Sequence, residues 1–161
     1  MRLTAHFTLA EFTRSESAKR HGVSNTPTPE HLENIRVLCE RVLEPIRAKY
    51  GPIVISSGYR SKMLNHFIGG ALKSDHSFGF AADLDLEGSG YDYDNNDIFH
   101  YIKDNLKFKQ LIAEFPKDGK LSWVHVSYDP NNLKQDILIA TSKTGGRTNY
   151  VKYKGNESLV K

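Results

Sequence analysis

The chain has 161 residues, a mild net charge of +3, and hydrophobic and charged contents of 39% and 25%. These values are typical of one globular domain and exclude a low-complexity or disordered chain. The single cysteine, Cys39, excludes an internal disulfide, and no apolar run is long enough to span a membrane.

The first half of the chain carries helical patterns. Thr8 and Glu11 have the spacing of a capping box and predict a short helix. The polar, proline-rich segment GVSNTPTPE predicts a loop. The strongest helix pattern follows over residues 29–50, and Pro45 is expected to kink it or end it early. Its buried face, at helical spacing, consists of Leu32, Ile35, Leu38, Cys39, Val42, Leu43 and Ile46.

Short strands are predicted after the Gly51-Pro52 breaker. Residues 53–57 are expected to form a buried strand that leads into a glycine turn, and residues 61–67 a helical turn. In AADLDLE, apolar residues alternate with Asp83 and Asp85, which predicts a half-buried strand with two carboxylates on its polar face.

The second half of the chain mixes one helix with strands. A helix is predicted over residues 96–105, followed by a β-hairpin that turns at Asp118-Gly119. DILIAT and NYVKYK predict further strands or a tail. Helices first, and then strands mixed with a helix, indicate an α+β fold.

The segment SDHSFGFAAD contains residue types that bind metals. A catalytic zinc ion uses three protein ligands, commonly imidazoles and carboxylates, and keeps one position open. His76 and Asp83 can supply two ligands, and His125 in WVHVS a third. Arg60 in SSGYRS can pair with a substrate carboxylate, and its neighbour Tyr59 can pack or hydrogen-bond. Taken singly, each of these residues is more often an ordinary structural histidine, part of a solvated strand face or a salt-bridge residue.

The hairpin supplies a candidate general base. With a two-residue turn, Ile112 faces His125 and Glu114 faces Trp123. Glu114 and His125 then lie on the same face as diagonal neighbours, about 7–8 Å apart, where a carboxylate can accept a proton from water. A register change of one residue would move Glu114 to the opposite face, and an ordinary cross-strand contact is the alternative.

Taken together, these segments resemble a known family. SGYRS, LN, GG, S-x-H-x-x-G-x-A-x-D and WVHVS, in this order, resemble the zinc D-alanyl-D-alanine carboxypeptidases and L-alanyl-D-glutamate endopeptidases, the LAS metallopeptidases. The opening from FTLAEF resembles their phage and prophage branch. The resemblance implies a single zinc peptidase domain over residues 1–161, with a core at about 7–128 and C-terminal strands or a tail at 129–161. Its fold would be a small α+β domain, like that of hedgehog signalling domains, with a central antiparallel sheet and helices packed on one side.

The resemblance also implies the roles of the site residues. His76, Asp83 and His125 match the three ligands of one Zn²⁺ ion. Arg60 matches the arginine that binds the substrate and polarises the scissile carbonyl, and Ser74 matches a position that hydrogen-bonds the substrate. Tyr59 is a third substrate-binding candidate.

The position of the catalytic acid departs from the family pattern. Many members place it three residues before the last histidine, and here that residue is Ser122, which cannot act as a base. Glu114 is therefore the expected catalytic base, and its LIxEF context resembles the phage branch.

The expected function is cleavage of a peptide bond in the stem or cross-link of bacterial peptidoglycan, as a carboxypeptidase or an endopeptidase. A non-catalytic, zinc-stabilised module that binds cell wall or protein is the alternative. We expect a monomer that binds neither nucleic acid nor membrane. The N-terminal segment has no apolar h-region, so the protein is expected to be made in the cytoplasm without a Sec signal and to reach the wall by phage-mediated release, as an endolysin. The C-terminal tail, with Gly145-Gly146 and its lysines, is expected to form edge strands or a wall-binding strip.

Overall fold

A mixed six-stranded sheet forms the centre of the protein, which a computed structural model describes at residues 1–143, 145–155 and 160. The strand order is β1-β2-β4-β3-β5-β6. The strands are β1 Ile55–Ser57, β2 Ala81–Leu84, β3 Gln110–Glu114, β4 Trp123–Ser127, β5 Asp136–Ser142 and β6 Thr148–Lys152. The α-helices are α1 Leu9–Thr13, α2 Glu16–His21, α3 Pro29–Leu38, α4 Glu44–Tyr50, α5 Lys62–Phe67 and α6 Asn95–Asn105. The predicted α+β class is confirmed.

One strand pair departs from the predicted antiparallel sheet, because β3 and β5 run parallel. β4 ends beside the start of β3, where Ser127 pairs with Gln110. The chain then crosses that end of β3 and begins β5 with Asp136 beside Gln110, so β5 must follow the direction of β3. The other four strand pairs are antiparallel.

The long helix pattern folds as one helical stretch that continues past Pro45. A π-helical turn, Cys39–Leu43, joins α3 to α4, and the N–H of Glu44 bonds to the carbonyl of Cys39, five residues back. Pro45 has no N–H, and in a regular α-helix its ring would clash with the carbonyl four residues earlier. The wider π turn directly before the proline accommodates it, and the helix ends only at Tyr50.

The two faces of the sheet have different environments. One face packs against α3 and α6 in a core that includes Leu38, Phe99, Leu84, Leu111 and Val126. Cys39 is fully buried in this core, as predicted. Because side chains alternate along a strand, Asp83, Glu114 and His125 lie on the opposite face. Among the described residues, no helix is both long and apolar enough to cross a bilayer.

Several short elements are set by local side chains. Thr8 and Glu11 form the predicted capping box of α1, and Ser61 caps α5. α2 lies where no element is predicted. Its only buried residue is Ala18, so it has no apolar periodicity to reveal it. Within the predicted tail, β5 and β6 form one edge of the sheet, while residues 144, 156–159 and 161 lie outside the described part of the chain.

Gly79 is expected to be essential to the packing of the turn that carries His76. Its φ is +77°, and an added Cβ would lie 2.4 Å from the backbone oxygen of His31. We therefore expect Gly79→Ala to destabilise the protein by about 3 kcal/mol or more, measured by urea denaturation. Gly88 is the matched control, since its φ is +73° but a Cβ there meets nothing within 4 Å. Gly88→Ala should cost only about 1 kcal/mol, and equal losses in the two variants would contradict the steric argument.

Candidate metal centre and its cleft

Three side chains converge on the open face of the sheet. His76 lies on the 3₁₀ turn Asp75–Phe78, Asp83 on β2 and His125 on β4. Asp83 and His125 are directly paired across the two strands. Oδ1 of Asp83 is 3.4 Å from Nε2 of His76 and 2.9 Å from Nδ1 of His125. One potential ligand atom from each residue lies within 4.8 Å of the others, so the cluster could hold a metal ion.

The orientation of the His76 ring is set by the backbone of the SGYR turn. Nδ1 of His76 lies 2.7 Å from the carbonyl oxygen of Gly58, which can only accept a hydrogen bond. Nδ1 therefore carries the hydrogen, and the lone pair of Nε2 points toward Asp83. The N–H of Arg60 bonds in return to the carbonyl of His76. The two segments thus hold each other and orient His76 as a candidate ligand.

The buried histidines and carboxylate perturb one another. Burial lowers the pKa of His76, although the charge of Asp83 opposes this effect. Burial also opposes charge on His125, but the hydrogen bond and charge of Asp83 outweigh it and raise the pKa of His125. Against the effect of its burial, the two histidines hold the pKa of Asp83 far below its usual range. An anionic oxygen therefore faces two nitrogens, an arrangement in which a cation can take the place of a proton.

β3 and β4 pair in the predicted register, which places Glu114 diagonally across from His125 on the same face of the sheet. Ile112 pairs with His125 and Glu114 with Trp123, and the turn is at Asp118-Gly119. The side chain of Glu114 is buried, with 7% of the residue exposed. Burial raises the pKa of Glu114 to about 7, with a smaller raising effect from Asp83 and an opposing one from His125. A carboxyl group with a pKa near neutrality is suited to accept and return a proton.

These groups line a cleft of about 760 Å³. Arg60 and Ser74 lie in its wall with Glu114 and the three candidate ligands. Burial lowers the pKa of Arg60, and the negative charge of Asp83 counteracts this effect. The cleft thus combines a possible metal site, a carboxyl group with a neutral pKa and a guanidinium group.

Sequence comparison identifies the family. A sequence model described as Peptidase M15 matches residues 5–127, most of the chain. The chain belongs to the M15 peptidase family. Members of this family are generally metal-dependent, which agrees with the His76–Asp83–His125 cluster. A comparison with curated proteins finds no match.

Three residues considered from the sequence lie apart from the His76–Asp83–His125 cluster. Tyr59, a predicted substrate-binding residue, is only 5% exposed and does not line this cleft, and its hydroxyl lies 3.0 Å from Nδ1 of His31. Asp85 lies beyond the end of β2, where Oδ1 accepts a hydrogen bond from the side chain of Asn95. Ser122 donates its hydroxyl hydrogen to the carbonyl of Phe115. None of them contributes a side chain to the candidate ligand set.

The cleft beside this cluster also contains residues that the sequence patterns did not single out. Lys109 forms an ion pair with Asp75 at 2.6 Å, next to His76. Leu138 of β5 and Tyr150 of β6 also line the cleft. Asp75 could have been predicted to lie in the cleft from the sequence, because it directly precedes the candidate ligand His76. Nothing in the sequence indicated that the last two strands reach this cleft, because their position depends on the parallel pairing of β3 with β5.

The buried carboxyl group of Glu114 should destabilise the metal-free protein at alkaline pH. The folded-state pKa is raised, so Glu114 costs nothing below its usual pKa of 4.5, and stability is lost as pH rises through about 7. Relative to wild type, we expect Glu114→Gln to be about 3 kcal/mol more stable at pH 8 and nearly unchanged at pH 4.5. Denaturation in the presence of a chelator measures this difference. Glu87→Gln is the control, because Glu87 is exposed. A similar gain in the stability of this control at pH 8 would refute the role of burial.

Proposed function

We propose that this M15 peptidase is a zinc enzyme that hydrolyses a peptide bond in the stem or cross-link peptides of bacterial peptidoglycan. The observation that carries the proposal is the placement of Glu114, with a pKa of about 7, on the sheet face of the His76–Asp83–His125 cluster. This combination offers a metal site and a proton acceptor in one cleft, as metal-assisted hydrolysis requires.

The donor set fits zinc. Two imidazoles and one carboxylate are typical zinc ligands, and three protein ligands leave one coordination position open. His76, Asp83 and His125 would hold the ion, since one potential ligand atom of each lies within 4.8 Å of the others. The hydrogen bond from His76 to Gly58 is the kind of outer interaction that orients a zinc-bound imidazole. When bound, zinc supplies Lewis-acid polarisation of the scissile carbonyl and lowers the pKa of water.

The protein's own groups then carry out the proton transfer and substrate binding. Ionised Glu114 accepts a proton from the attacking water and passes it to the amine that leaves. Arg60 stabilises negative charge on the carbonyl oxygen or pairs with a carboxylate of the substrate. The Ser74 hydroxyl hydrogen-bonds the substrate backbone.

Peptidoglycan as substrate is supported by the resemblance of the SGYRS, SDHSFGFAAD and WVHVS segments to enzymes that cut wall peptides. The cleft is also suited to peptides that carry carboxylates, because Lys73 and Lys134 lie in its lining together with Arg60. We further propose that the protein acts as a monomer on the cell wall after phage-mediated release, without binding nucleic acid or membrane.

Mass spectrometry of muropeptides after incubation with the protein tests this function. Purified peptidoglycan is treated with the zinc-loaded protein and with the chelated protein. Loss of a terminal D-alanine identifies a carboxypeptidase, whereas separation within the stem or cross-link identifies an endopeptidase. We expect one of these products with zinc and none with chelator. Because Ser122 replaces the usual acid, a binding module is the second candidate, and binding of peptidoglycan without any cleavage would favour it over the enzyme.

A further inference from the structure

One wall of the cleft is built by a part of the chain that lies beyond the family match. The matched segment ends at residue 127, whereas β5 and β6 come later. These two strands contribute Leu138, Thr148 and Tyr150 to the cleft lining. Strands that follow the matched segment therefore supply part of the cleft lining.

Strand register places Tyr150 in the same row as the proposed base. Glu114 pairs with Ala140 across β3 and β5, and Ala140 pairs with Tyr150 across β5 and β6. Residues paired in this way project from the same face of a sheet. Glu114, Ala140 and Tyr150 consequently form one row on the face of the metal ligands. The small, fully buried Ala140 between the larger two leaves room for the phenol ring to lie toward Glu114.

The Tyr150 phenol is both close to the acidic groups and accessible. Partial burial raises its pKa, Glu114 and Asp83 raise it further, and a hydrogen bond with Thr148 opposes them. The phenol is thus neutral at physiological pH and keeps its hydrogen for donation. Since 53% of Tyr150 remains exposed, a molecule in the cleft can contact both its ring and its hydroxyl.

We propose that Tyr150 is a substrate-contacting residue whose ring packs against an extended peptide in the cleft and whose hydroxyl donates a hydrogen bond to a carbonyl of that peptide. The inference rests on the proposed function and names the residue that positions the peptide opposite Arg60. Tyrosine is suited to this role because it combines a rigid apolar ring with a polar tip.

Steady-state hydrolysis of muramyl pentapeptide by Tyr150→Phe and Tyr150→Ala tests the inference. Loss of one substrate hydrogen bond should raise KM roughly threefold to tenfold in the Phe variant, with kcat within about twofold of wild type. The Ala variant should raise KM further, because it also loses the ring contact. Val151→Ala is the matched control: Val151 is the next residue on the same edge strand, 44% exposed, and projects from the other face. We expect its kcat and KM to equal those of wild type.

The outcomes separate this inference from the proposed function. If wild type hydrolyses the peptide and both Tyr150 variants behave like Val151→Ala, the inference fails and the proposed function stands. If wild type leaves this peptide intact, its affinity is read instead from the fluorescence of Trp123, the chain's single tryptophan, which lines the cleft. The proposed function fails if purified, cross-linked peptidoglycan is also left uncut. Weaker peptide binding by Tyr150→Phe than by Val151→Ala then supports the contact, and equal or absent binding overturns it. Unchanged zinc content and melting temperature in all variants exclude a structural cause.

Discussion

Glu114→Gln should reduce peptide hydrolysis by about a hundredfold to ten-thousandfold and leave metal binding intact. Glutamine has nearly the same size and shape as glutamate but cannot accept a proton from water. Glu114 is not one of the clustered ligand residues, so the variant should retain one zinc per chain. Initial rates on muropeptides, together with the metal content of the purified variant, measure the two effects separately.

Gln110→Ala is the matched control for this variant. Gln110 lies on the same strand and face as Glu114 and also lines the cleft, but it carries no ionisable group. Its loss should change the rate only a few-fold. Full hydrolysis by Glu114→Gln would exclude Glu114 as the base and leave the reaction without a carboxylate at the position that the hairpin register provides.

The pH profile gives an independent check on the same residue. Burial raises the pKa of Glu114 to about 7, and only the ionised form accepts a proton, so kcat/KM should fall as pH decreases below about 7. A bound cation favours the ionised form of Glu114 and therefore shifts the acid limb of the kcat/KM profile to lower pH, never to higher pH. The residual activity of Glu114→Gln should lack this limb, whereas Gln110→Ala should keep it.

The hairpin shows why Glu114 could be found from sequence alone. Asp118-Gly119 is a strong two-residue turn pattern, and a turn of known length determines every pair along the two strands. Both turn residues have positive φ, +53° and +78°, as this turn requires. The pairing of Ile112 with His125 then follows, and with it the face on which Glu114 lies. The helical core was predictable for a similar reason, because its apolar spacing is local.

The features that could not be predicted depend on contacts between distant segments. Asp83 and Asp85 are two residues apart and would project from the same face of a continuous strand. Because β2 ends at Leu84, Asp85 instead accepts a hydrogen bond from Asn95. Tyr59 follows the SG turn like Arg60, yet its ring enters the core, where it meets His31. Tyr150 reaches the cleft only because the chain crosses the end of β3 and pairs in parallel with it. That the clustered residues bind zinc and that Glu114 acts as the base stay predictions.

His76→Ala should abolish zinc binding and reduce hydrolysis roughly a thousandfold or more. The remaining candidate ligands, Asp83 and His125, are already engaged with each other at 2.9 Å and supply too few donors for a catalytic zinc site. His66→Ala is the matched control, since His66 lies exposed on α5 outside the cluster. Metal analysis should find about one zinc per chain in wild type and His66→Ala, and none in His76→Ala.

Thermal unfolding links this loss of metal to the charge on His125. Zinc at a hundredfold excess over its dissociation constant should stabilise wild type by about 2.7 kcal/mol, and His76→Ala by nothing. Because Asp83 raises the pKa of His125 against the effect of its burial, zinc must displace a proton from this imidazole. The stabilisation of wild type by a fixed zinc concentration should therefore increase as pH rises and His125 becomes neutral. A stabilisation independent of pH, or one that His76→Ala retains, would place the ion somewhere other than between His76, Asp83 and His125.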